Sequence, residues 1–317
     1  MLIIILLWFF FGDIYPINCQ VIQERNDATS IIKDNILYVL GGFSNGKAIP
    51  EILSLDLTDS ININSPPWSR LKTPPLAFSS SGVVLGGLNN SFILVIGGVM
   101  RDPFSQDGIF GEQILLEYDI NNNEWKRTTM KNAPDLYDRV QFKMLSNNDG
   151  IAYLHGGFFH NGTFLGDTYL FNISSITWTQ LPTPKVPVTA YDFAPVLLND
   201  GRLIIIGGFG PPVGNVQTPR LISKIEIFNT VNSTWSSQTV PQPNEMSDIR
   251  RSHTSTLLPN GDIVIIGGVN GIPNVVILKT ASIQFQWKIP AISGSEPPLI
   301  NEHCAELVEN RYIFTMF

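Results

Sequence analysis

Two kinds of side chain in this sequence are suited to chemistry: histidines and closely spaced carboxylates. The histidines, whose ring nitrogens can bind metals or move protons, are His155, His160, His253 and His303. The carboxylates form two short pairs, Asp135 with Asp138 and Glu245 with Asp248, and such pairs can act as general acid and base. Each pair stands just before a predicted strand, where acidic residues are usually solvated loop charges. These residues therefore predict neither a catalytic site nor a bound cofactor.

Composition restricts the classes of fold and partner. The chain has 317 residues, of which 44% are hydrophobic and 15% charged, so it can bury a large core. Its 26 glycines and 22 prolines favour many short strands joined by tight turns. The formal net charge of −7 argues against a nucleic-acid partner, because phosphate recognition needs a basic surface.

The chain begins with an unbroken apolar run, Leu2 to Phe11. A membrane helix needs about 20 such residues, and this shorter length is typical of a secretory signal peptide, although no Lys or Arg precedes the run. We predict a signal peptide over residues 1–19 and a secreted or cell-surface protein, with a buried N-terminal strand as the alternative. Cleavage would leave Cys304 alone, so no disulfide framework is expected.

The strongest signal is an internal repeat in which an apolar strand ends in two glycines. The five pairs, 51 to 60 residues apart, are Gly41-Gly42, Gly97-Gly98, Gly156-Gly157, Gly207-Gly208 and Gly267-Gly268. A tight-turn signal precedes each pair: Asp34-Asn35, Asn89-Asn90, Asp149-Gly150, Asp200-Gly201 and Asn260-Gly261. A further strand and a tryptophan follow each pair, the tryptophans being Trp68, Trp125, Trp178, Trp235 and Trp287. Each unit therefore predicts four strands.

The middle strands of these units are apolar on both faces, as in Leu203 to Ile206 and Ile263 to Ile266. Such strands need a sheet packed on either side, and a ring of radially stacked sheets provides one. A β-sandwich of evenly spaced short strands is the alternative, but it does not explain the long repeat.

This pattern resembles the kelch repeat over roughly residues 25 to 317. The family's aromatic–acidic pair is matched by Tyr118-Asp119 and nearly matched by Phe171-Asn172 and Phe228-Asn229, whereas Leu278-Lys279 departs from it. The resemblance implies an all-β fold, a kelch-type β-propeller of four-stranded antiparallel blades over residues 20–317. Five repeats are complete and a sixth is partial.

Two metal-dependent activities occur on propellers of this kind. The resemblance extends to the galactose oxidase superfamily, whose copper site needs two His, two Tyr and a Tyr–Cys cross-link, but Cys304 has no evident Tyr partner. Glu245, Asp248 and His253 nearly match the spacing of iron-dependent kelch specifier proteins, with the Asp one position early. We therefore expect a binding module and no enzyme or cofactor, with a galactose oxidase-like copper oxidoreductase as the alternative.

Long loops after two glycine pairs are the candidate binding elements, because loops on a rigid scaffold often carry function. Their exposed-looking side chains are Phe104, Ile109, Phe110, Pro211, Pro212 and Val213. We expect a protein or glycan ligand.

Arg25, Arg139 and Arg250 stand 16 or 17 residues before a glycine pair. We expect them to bond carbonyls of neighbouring blades, the alternative being a ring that binds an acidic ligand.

Four sequons accompany the predicted secretion, all in predicted turns or loops. Their acceptor residues are Asn89, Asn161, Asn172 and Asn232.

The sixth repeat stops after two predicted strands, His303 to Val308 and Arg311 to Phe317. An unpaired apolar edge invites pairing with another strand. We therefore expect a longer form that completes the blade and that could include a membrane anchor. The alternative is that residues 20 to 24 fold back and cover the edge.

Overall fold

The computed structural model describes residues 22–62, 65–105, 112–182, 190–214, 216–294 and 299–316, together with the backbone of 3–6. Strands predominate among them, and the short 3-10 turn Leu88–Asn90 is the single helical element of that part of the chain. No helix in the described residues is long and apolar enough to cross a membrane.

Five four-stranded antiparallel sheets follow one another along the described chain, which confirms the propeller predicted from the repeat. We number these blades 1 to 5 and give their strands from the innermost to the outermost. Blade 1 contains Thr29–Lys33, Ile36–Leu40, Ile52–Asp56 and Ser69–Arg70. Blade 2 contains Gly82–Gly86, Phe92–Ile96, Ile114–Asp119 and Glu124–Thr129. Blade 3 contains Met144–Ser146, Ile151–His155, Thr168–Asn172 and Thr177–Gln180. Blade 4 contains Ala194–Leu197, Arg202–Ile206, Lys224–Asn229 and Thr234–Thr239. Blade 5 contains Thr254–Leu257, Ile263–Ile266, Val275–Lys279 and Gln286–Lys288.

A sixth blade is built differently. Its innermost and second strands are Cys304–Val308 and Tyr312–Met316, and Ile3–Leu6 pairs with the second strand in parallel. The edge is therefore covered by Ile3–Leu6, an N-terminal strand as in the alternative to a signal peptide. Ile22 to Glu24 instead lie beside blade 1, where Gln23 donates to Ser44 Oγ at 2.9 Å. Residues 20 and 21 and most of 1–19 lie outside the described residues, and the signal peptide stays a prediction.

The innermost strands of the six blades contact one another in sequence order and close into a ring, because blade 6 packs on blade 1. Side chains join these two blades: Ser30 Oγ donates to Glu306 Oε1 at 2.6 Å, and the Cys304 thiol donates to the Ala28 carbonyl at 3.3 Å. The ring surrounds a central channel.

The two faces of the propeller carry different connections. One face bears the loops that follow the glycine pairs and the segments that join successive blades, and we call it the glycine face. The opposite, far face bears the hairpins between first and second strands and the turns before the tryptophans. Asp34 and Asn35 have φ of 51° and 60°, the left-handed pair that a tight hairpin needs.

Short strands brace the loops of the glycine face. They are Phe43–Ser44, Lys47–Ala48, Ala77–Ser79, Val99–Arg101, Arg139–Val140, Phe158–Phe159, Phe209–Val213 and Val216–Pro219. The loop of blade 4 is thus a two-stranded ribbon, because Val213 pairs with Val216.

The glycine pairs are contacts between blades. Gly207 has a φ of 60°, and a Cβ there would lie 2.4 Å from the Arg250 carbonyl oxygen of the next blade. The N–H of Gly208 donates to that same oxygen at 2.9 Å. Equivalent bonds run from Gly42 to Phe78, from Gly157 to Ala190 and from Gly268 to Ile300. Only glycine gives both the left-handed backbone and this close approach.

The repeat tryptophans pack on the third strand of their own blade. The ring centroids of Trp125 and Tyr118 are 5.0 Å apart, and those of Trp178 and Phe171 are 4.6 Å apart. Asp119 Oδ1 accepts the N–H groups of the next turn, from Asn121 at 2.9 Å and from Asn122 at 3.1 Å. The fixed spacing therefore reflects a side-chain-capped turn, as the sequence predicts.

Candidate functional site

Six residues in equivalent positions surround the opening of the central channel on the glycine face, one from each blade. We call them the mouth ring: Asp27, Ser80, Gln141, Asp192, Ser252 and Glu302. All six have φ between 52° and 57°, and each stands two or three residues before the innermost strand of its blade begins. Left-handed backbone is uncommon outside glycine, so its recurrence shows that the fold imposes one geometry on six different side chains.

Backbone and side-chain hydrogen bonds hold the mouth ring together. The N–H of Ser80 donates to the Asp27 carbonyl at 2.9 Å, and that of Glu302 donates to the Ser252 carbonyl at 3.0 Å. Ser252 Oγ lies 2.9 Å from both oxygens of the Asp192 carboxylate. The ring is therefore preformed, with acceptor atoms presented around an opening.

The channel below the ring has a volume of about 460 Å³ and an excess of negative charge. Among the described residues that line it, four are carboxylates, Asp27, Asp192, Glu302 and Glu306, and Lys143 supplies an ammonium group. The wall is polar between these charges, because serines and threonines of the innermost strands face the same space.

Burial and mutual repulsion disfavour the ionised form of these carboxyls. Burial raises the pKa of Asp27 above its usual value, and the charges of Glu302 and Asp192 raise it further against the opposing effect of Lys143. Burial also raises the pKa of Asp192, although hydrogen bonds from Ser252 and Arg251 oppose it. Negative charge is thus concentrated where an incoming cation would relieve repulsion.

A groove on the glycine face continues from the channel across blades 1 to 3. Its volume is about 580 Å³, and it shares Asp27, Ser80 and Gln141 with the channel. Its wall includes an ionic cluster in which Asp138 Oδ1 lies 3.0 Å from His160 Nδ1 and 3.3 Å from Arg101 Nη2.

Four aromatic rings lie beside the groove, at the boundary of blades 3 and 4. We call them the aromatic patch: Phe158, Phe164, Tyr191 and Phe209. Neighbouring centroids are 5.1 to 5.7 Å apart, and Phe158 also lines the groove. Arg251 connects the patch with the mouth ring, because its guanidinium lies 5.2 Å from the Phe209 centroid and bonds Asp192 at 3.2 Å. Channel mouth, groove and patch therefore form one continuous surface.

The three regularly placed arginines are structural. Arg25, Arg139 and Arg250 are 3%, 1% and 0% exposed, so they cannot form the anion-binding ring considered as an alternative. Each bonds the carbonyl of the first glycine of its own blade: Arg25 to Gly41 at 3.0 Å, Arg139 to Gly156 at 2.6 Å and Arg250 to Gly267 at 2.8 Å. The expectation that these bonds reach neighbouring blades is wrong, because the side chain folds back along its own second strand.

Blade 5 lacks the acid that accompanies this arginine elsewhere. Glu51 pairs with Arg25 and Asp167 with Arg139, and the carbonyls of both acids accept the N–H of the first glycine. In blade 5 the carbonyl of Asn274 has that role toward Gly267. Burial without a carboxylate lowers the pKa of Arg250 to about 10.

Replacing Asn274 by Asp is therefore expected to stabilise the fold by about 1.5 kcal/mol at pH 7, because the introduced carboxylate would bond a buried guanidinium. The arginine would depress the folded-state pKa of that carboxyl, so the gain is present above the unfolded value of about 3.9 and is lost as pH falls below it. Urea unfolding at pH 7 measures the gain in stability, and urea unfolding at pH 3 measures its loss. An unfolding midpoint at pH 7 equal to or below that of the wild type would contradict the assignment.

The histidines occupy separate structural positions. His155 is buried against Trp235, with centroids 4.7 Å apart, and its Nδ1 lies 2.9 Å from Thr168 Oγ1. Burial lowers the pKa of both His155 and His303 to about 3. His253 and His303 follow the mouth ring and pack against Gly207 and Gly267 of the preceding blades. No cluster of His, Cys, Asp or Glu suited to a metal ion occurs in the described part of the chain.

The carboxylate pairs singled out in the sequence are not brought together with histidines in the way that metal chemistry would require. Asp248 Oδ1 accepts the N–H of Ser223 at 2.9 Å, while Glu245 is exposed to solvent. Asp138 joins the groove, but Asp135 instead accepts from Gln113 at 3.3 Å.

The predicted loop residues that the structure describes are on the glycine face and do not line the channel. Phe104 is 97% exposed and Val213 is 76% exposed. Pro211 and Pro212 lie in the ribbon of blade 4, and Ile109 and Phe110 lie outside the described residues. The mouth ring and the four patch residues were missed from the sequence, although three ring members share one signal: Asp27, Gln141 and Ser252 each follow a regularly placed arginine by two residues.

The predicted glycan acceptors are unevenly distributed over the two faces. Asn89, Asn172 and Asn232 lie on far-face turns or at their edge, whereas Asn161 lies in the glycine-face loop of blade 3. Asn89, Asn161 and Asn232 are exposed and Asn172 is half-buried.

Comparison with known proteins agrees with this architecture. The profile of the KLHDC2/KLHL20/DRC7 Kelch-repeats domain matches residues 83–316. Kelch domain-containing protein 3 of Homo sapiens is 23% identical over 92% of this chain and 76% of its own length. Kelch domain-containing protein 10 of Xenopus laevis is 28% identical over 75% of this chain and 56% of its own length. Adagio protein 3 of Arabidopsis thaliana is 22% identical over 78% of this chain and 40% of its own length. With more than half of its length matched by one family profile and with the blades that the profile implies, this chain belongs to the KLHDC2/KLHL20/DRC7 Kelch-repeats domain family.

Proposed function

We propose that this chain is a protein-interaction module that binds its partner through the glycine face. The observation that carries the proposal is the continuity of the channel mouth, the groove and the aromatic patch on that one face. A preformed concave surface with aromatic rings and a few convergent polar groups is the usual form of a recognition site. Kelch propellers generally bind proteins, which agrees with this reading.

The proposal favours binding over catalysis. The buried histidines are used in packing between blades, and the galactose oxidase-like alternative has no support in the family match or in the positions of these side chains. The carboxylates of the mouth ring are held by Ser, Asn and Arg partners in an arrangement suited to recognition.

We further propose that binding takes place outside the cell or at its surface. The apolar run from Leu2 to Phe11 supports entry into the secretory pathway, and cleavage of this run as a signal peptide would remove Ile3–Leu6 from the edge of blade 6. Three of the four sequons are on or beside the far face, so glycans there would leave the glycine face accessible.

Protein made in a eukaryotic secretory host should therefore lose mass on treatment with an N-glycosidase, because exposed acceptors such as Asn89 and Asn232 are open to the transferase. Intact mass spectrometry before and after treatment measures the change. A protein whose mass does not change on treatment would overturn the proposed glycosylation.

Site-directed photocross-linking tests which face binds. Val213 and Val231 both belong to blade 4. Val213 lies on the glycine face and is 76% exposed, and Val231 lies on the far face and is 85% exposed. With a photoreactive amino acid at each position in turn, we expect a discrete protein adduct from position 213 and none from position 231. Mass spectrometry of the adduct identifies the partner.

The matched positions make the result interpretable, since both variants alter one exposed side chain of the same blade. An adduct formed from position 231 alone, or adducts of equal yield from both positions, would overturn the assignment to the glycine face.

A further inference from the structure

The mouth ring presents hydrogen-bond acceptors with few donors to match them. Asp27, Asp192 and Glu302 supply carboxylate oxygens, and Gln141 Oε1 is buried without a hydrogen-bond partner in the described residues. A ligand made only of donors complements such a ring. The ammonium of Lys, with three donors, and the guanidinium of Arg, with five, are the protein groups of that kind.

The charge of the channel points the same way. Counting the described lining residues, four carboxyls and one ammonium give a formal net charge of −3 (−4 + 1), which is an upper limit on the negative charge because burial raises the pKa of Asp27, Asp192 and Glu306. The two channel histidines add no charge, because burial holds the pKa of His253 well below its usual value and that of His303 at about 3. The groups that face Asp27 are Glu302 and Asp192, which repel it, and Lys143 and Ser80, which stabilise its charge.

A buried imidazole in the channel wall gives an independent sign of a missing partner. His253 adjoins Ser252 of the mouth ring and is 6% exposed, and neither of its ring nitrogens has a hydrogen-bond partner among the described residues. Buried polar atoms are rarely left unsatisfied in native proteins.

The surroundings of the mouth suit a basic residue within a protein chain. The aromatic patch offers the half-buried rings of Phe158, Phe164 and Phe209, on which the flanking side chains of a peptide can pack. Arg251 already lies over Phe209 while it bonds Asp192, which shows that the patch and the ring together accommodate a guanidinium.

We propose that the channel mouth binds a lysine or arginine side chain of the partner protein, with the carboxylates of Asp27 and Glu302 as its principal acceptors. This inference rests on the proposed function and specifies the chemistry of the partner. Asp192 is less available, because Ser252 and Arg251 already bond both of its oxygens.

Random dodecapeptides displayed on phage and selected on the full chain provide the test. Peptides from enriched clones are synthesised with both ends capped, and their affinities are measured by calorimetry. The mouth variant Asp27→Asn/Glu302→Gln removes two charges without changing side-chain shape. The control Asp149→Asn/Glu309→Gln removes the same two kinds of charge from far-face turns.

We expect enriched peptides to contain Lys or Arg. The mouth variant should bind them at least about tenfold more weakly, since a partly buried charge pair is lost, and the control should bind them as the wild type does. Replacing the basic residue by citrulline or acetyl-lysine should weaken binding similarly in the wild type and have little further effect in the mouth variant.

The mouth variant should not be less stable than the wild type. Because burial raises the folded-state pKa of Asp27, its ionised form opposes folding at neutral pH, and Asp27→Asn removes that effect. Loss of binding with an unchanged or raised unfolding midpoint would therefore separate recognition from folding.

Two other outcomes would overturn the inference in different ways. Peptides that bind without a basic residue, are unaffected in the mouth variant and are lost with Phe164→Ser would refute the basic ligand but leave the proposed function in place. No enrichment on the wild type, or peptides lost only in the far-face control, would refute both.

Discussion

Substitution of Gly207 by Ala is expected to destabilise the fold by at least about 3 kcal/mol, as a severe core defect does. The backbone at Gly207 has a φ of 60°, which alone disfavours a side chain by about 1–2 kcal/mol. A Cβ would also lie 2.4 Å from the Arg250 carbonyl, a backbone atom of blade 5 that the Gly208 N–H already binds. Relief of the clash requires blades 4 and 5 to separate.

Gly214→Ala is the matched control. Gly214 has a nearly equal φ of 62° but lies at the tip of the blade 4 ribbon, where a Cβ would have no atom within 4 Å. The Gly214→Ala substitution should lower the free energy of unfolding only by the cost of a left-handed backbone at a residue with a Cβ, about 1–2 kcal/mol. Chemical unfolding of both variants measures the difference. Equal losses would show that the glycine pair is required for its backbone conformation and not for blade packing.

The second large effect is expected from Arg139→Ala. The guanidinium is 1% exposed and donates to the Gly156 carbonyl at 2.6 Å from Nη2 and 2.9 Å from Nε, and Nη2 also bonds Asp167 at 2.6 Å. Its removal leaves a carbonyl and a carboxylate without their donor inside blade 3. Loss of one partner of a buried ion pair typically costs about 3–5 kcal/mol.

The comparison variant is Arg127→Ala, which breaks a solvent-exposed pair with Glu112 at 2.6 Å. Exposed pairs contribute less than about 1 kcal/mol, so urea unfolding should show a small change for this variant and a large one for Arg139→Ala. A small loss in both would mean that Arg139 does not hold the glycine loop of its blade.

Most of the fold can be predicted from the sequence because its determinants repeat. Glycine is required wherever one blade approaches the next, as at Gly207, and an aromatic residue recurs opposite Trp178 and Trp235 on the third strand. Repetition in register distinguishes these residues from chance. The third strands extend as far as Asn172 and Asn229, because each of these capping residues still pairs with the next strand.

The candidate site could not be predicted in the same way, because its residues share a backbone geometry and not a residue type. The six members of the mouth ring include carboxylates, hydroxyls and an amide, and their common feature is a φ near 54° that only the structure displays. The aromatic patch combines Phe158 and Phe164 of one loop with Tyr191 and Phe209 from the next blade. Such proximity depends on the closed ring and leaves no local pattern.

The sixth blade shows the same limit. Its first two strands follow from the hairpin signal at Glu309 and Asn310, whose φ values of 50° and 54° match those of the blade 1 hairpin. The parallel pairing of Ile3–Leu6 with Tyr312–Met316 departs from the antiparallel order of the other blades, and an apolar run with no turn signal did not predict it.

A crystal structure of the protein with the strongest selected peptide tests the central claim most directly. We predict that the peptide lies on the glycine face, across the groove and the aromatic patch, with its basic side chain within hydrogen-bonding distance of Asp27 or Glu302. A peptide bound on the far face, or along the outer strands with the channel mouth open to solvent, would contradict the account.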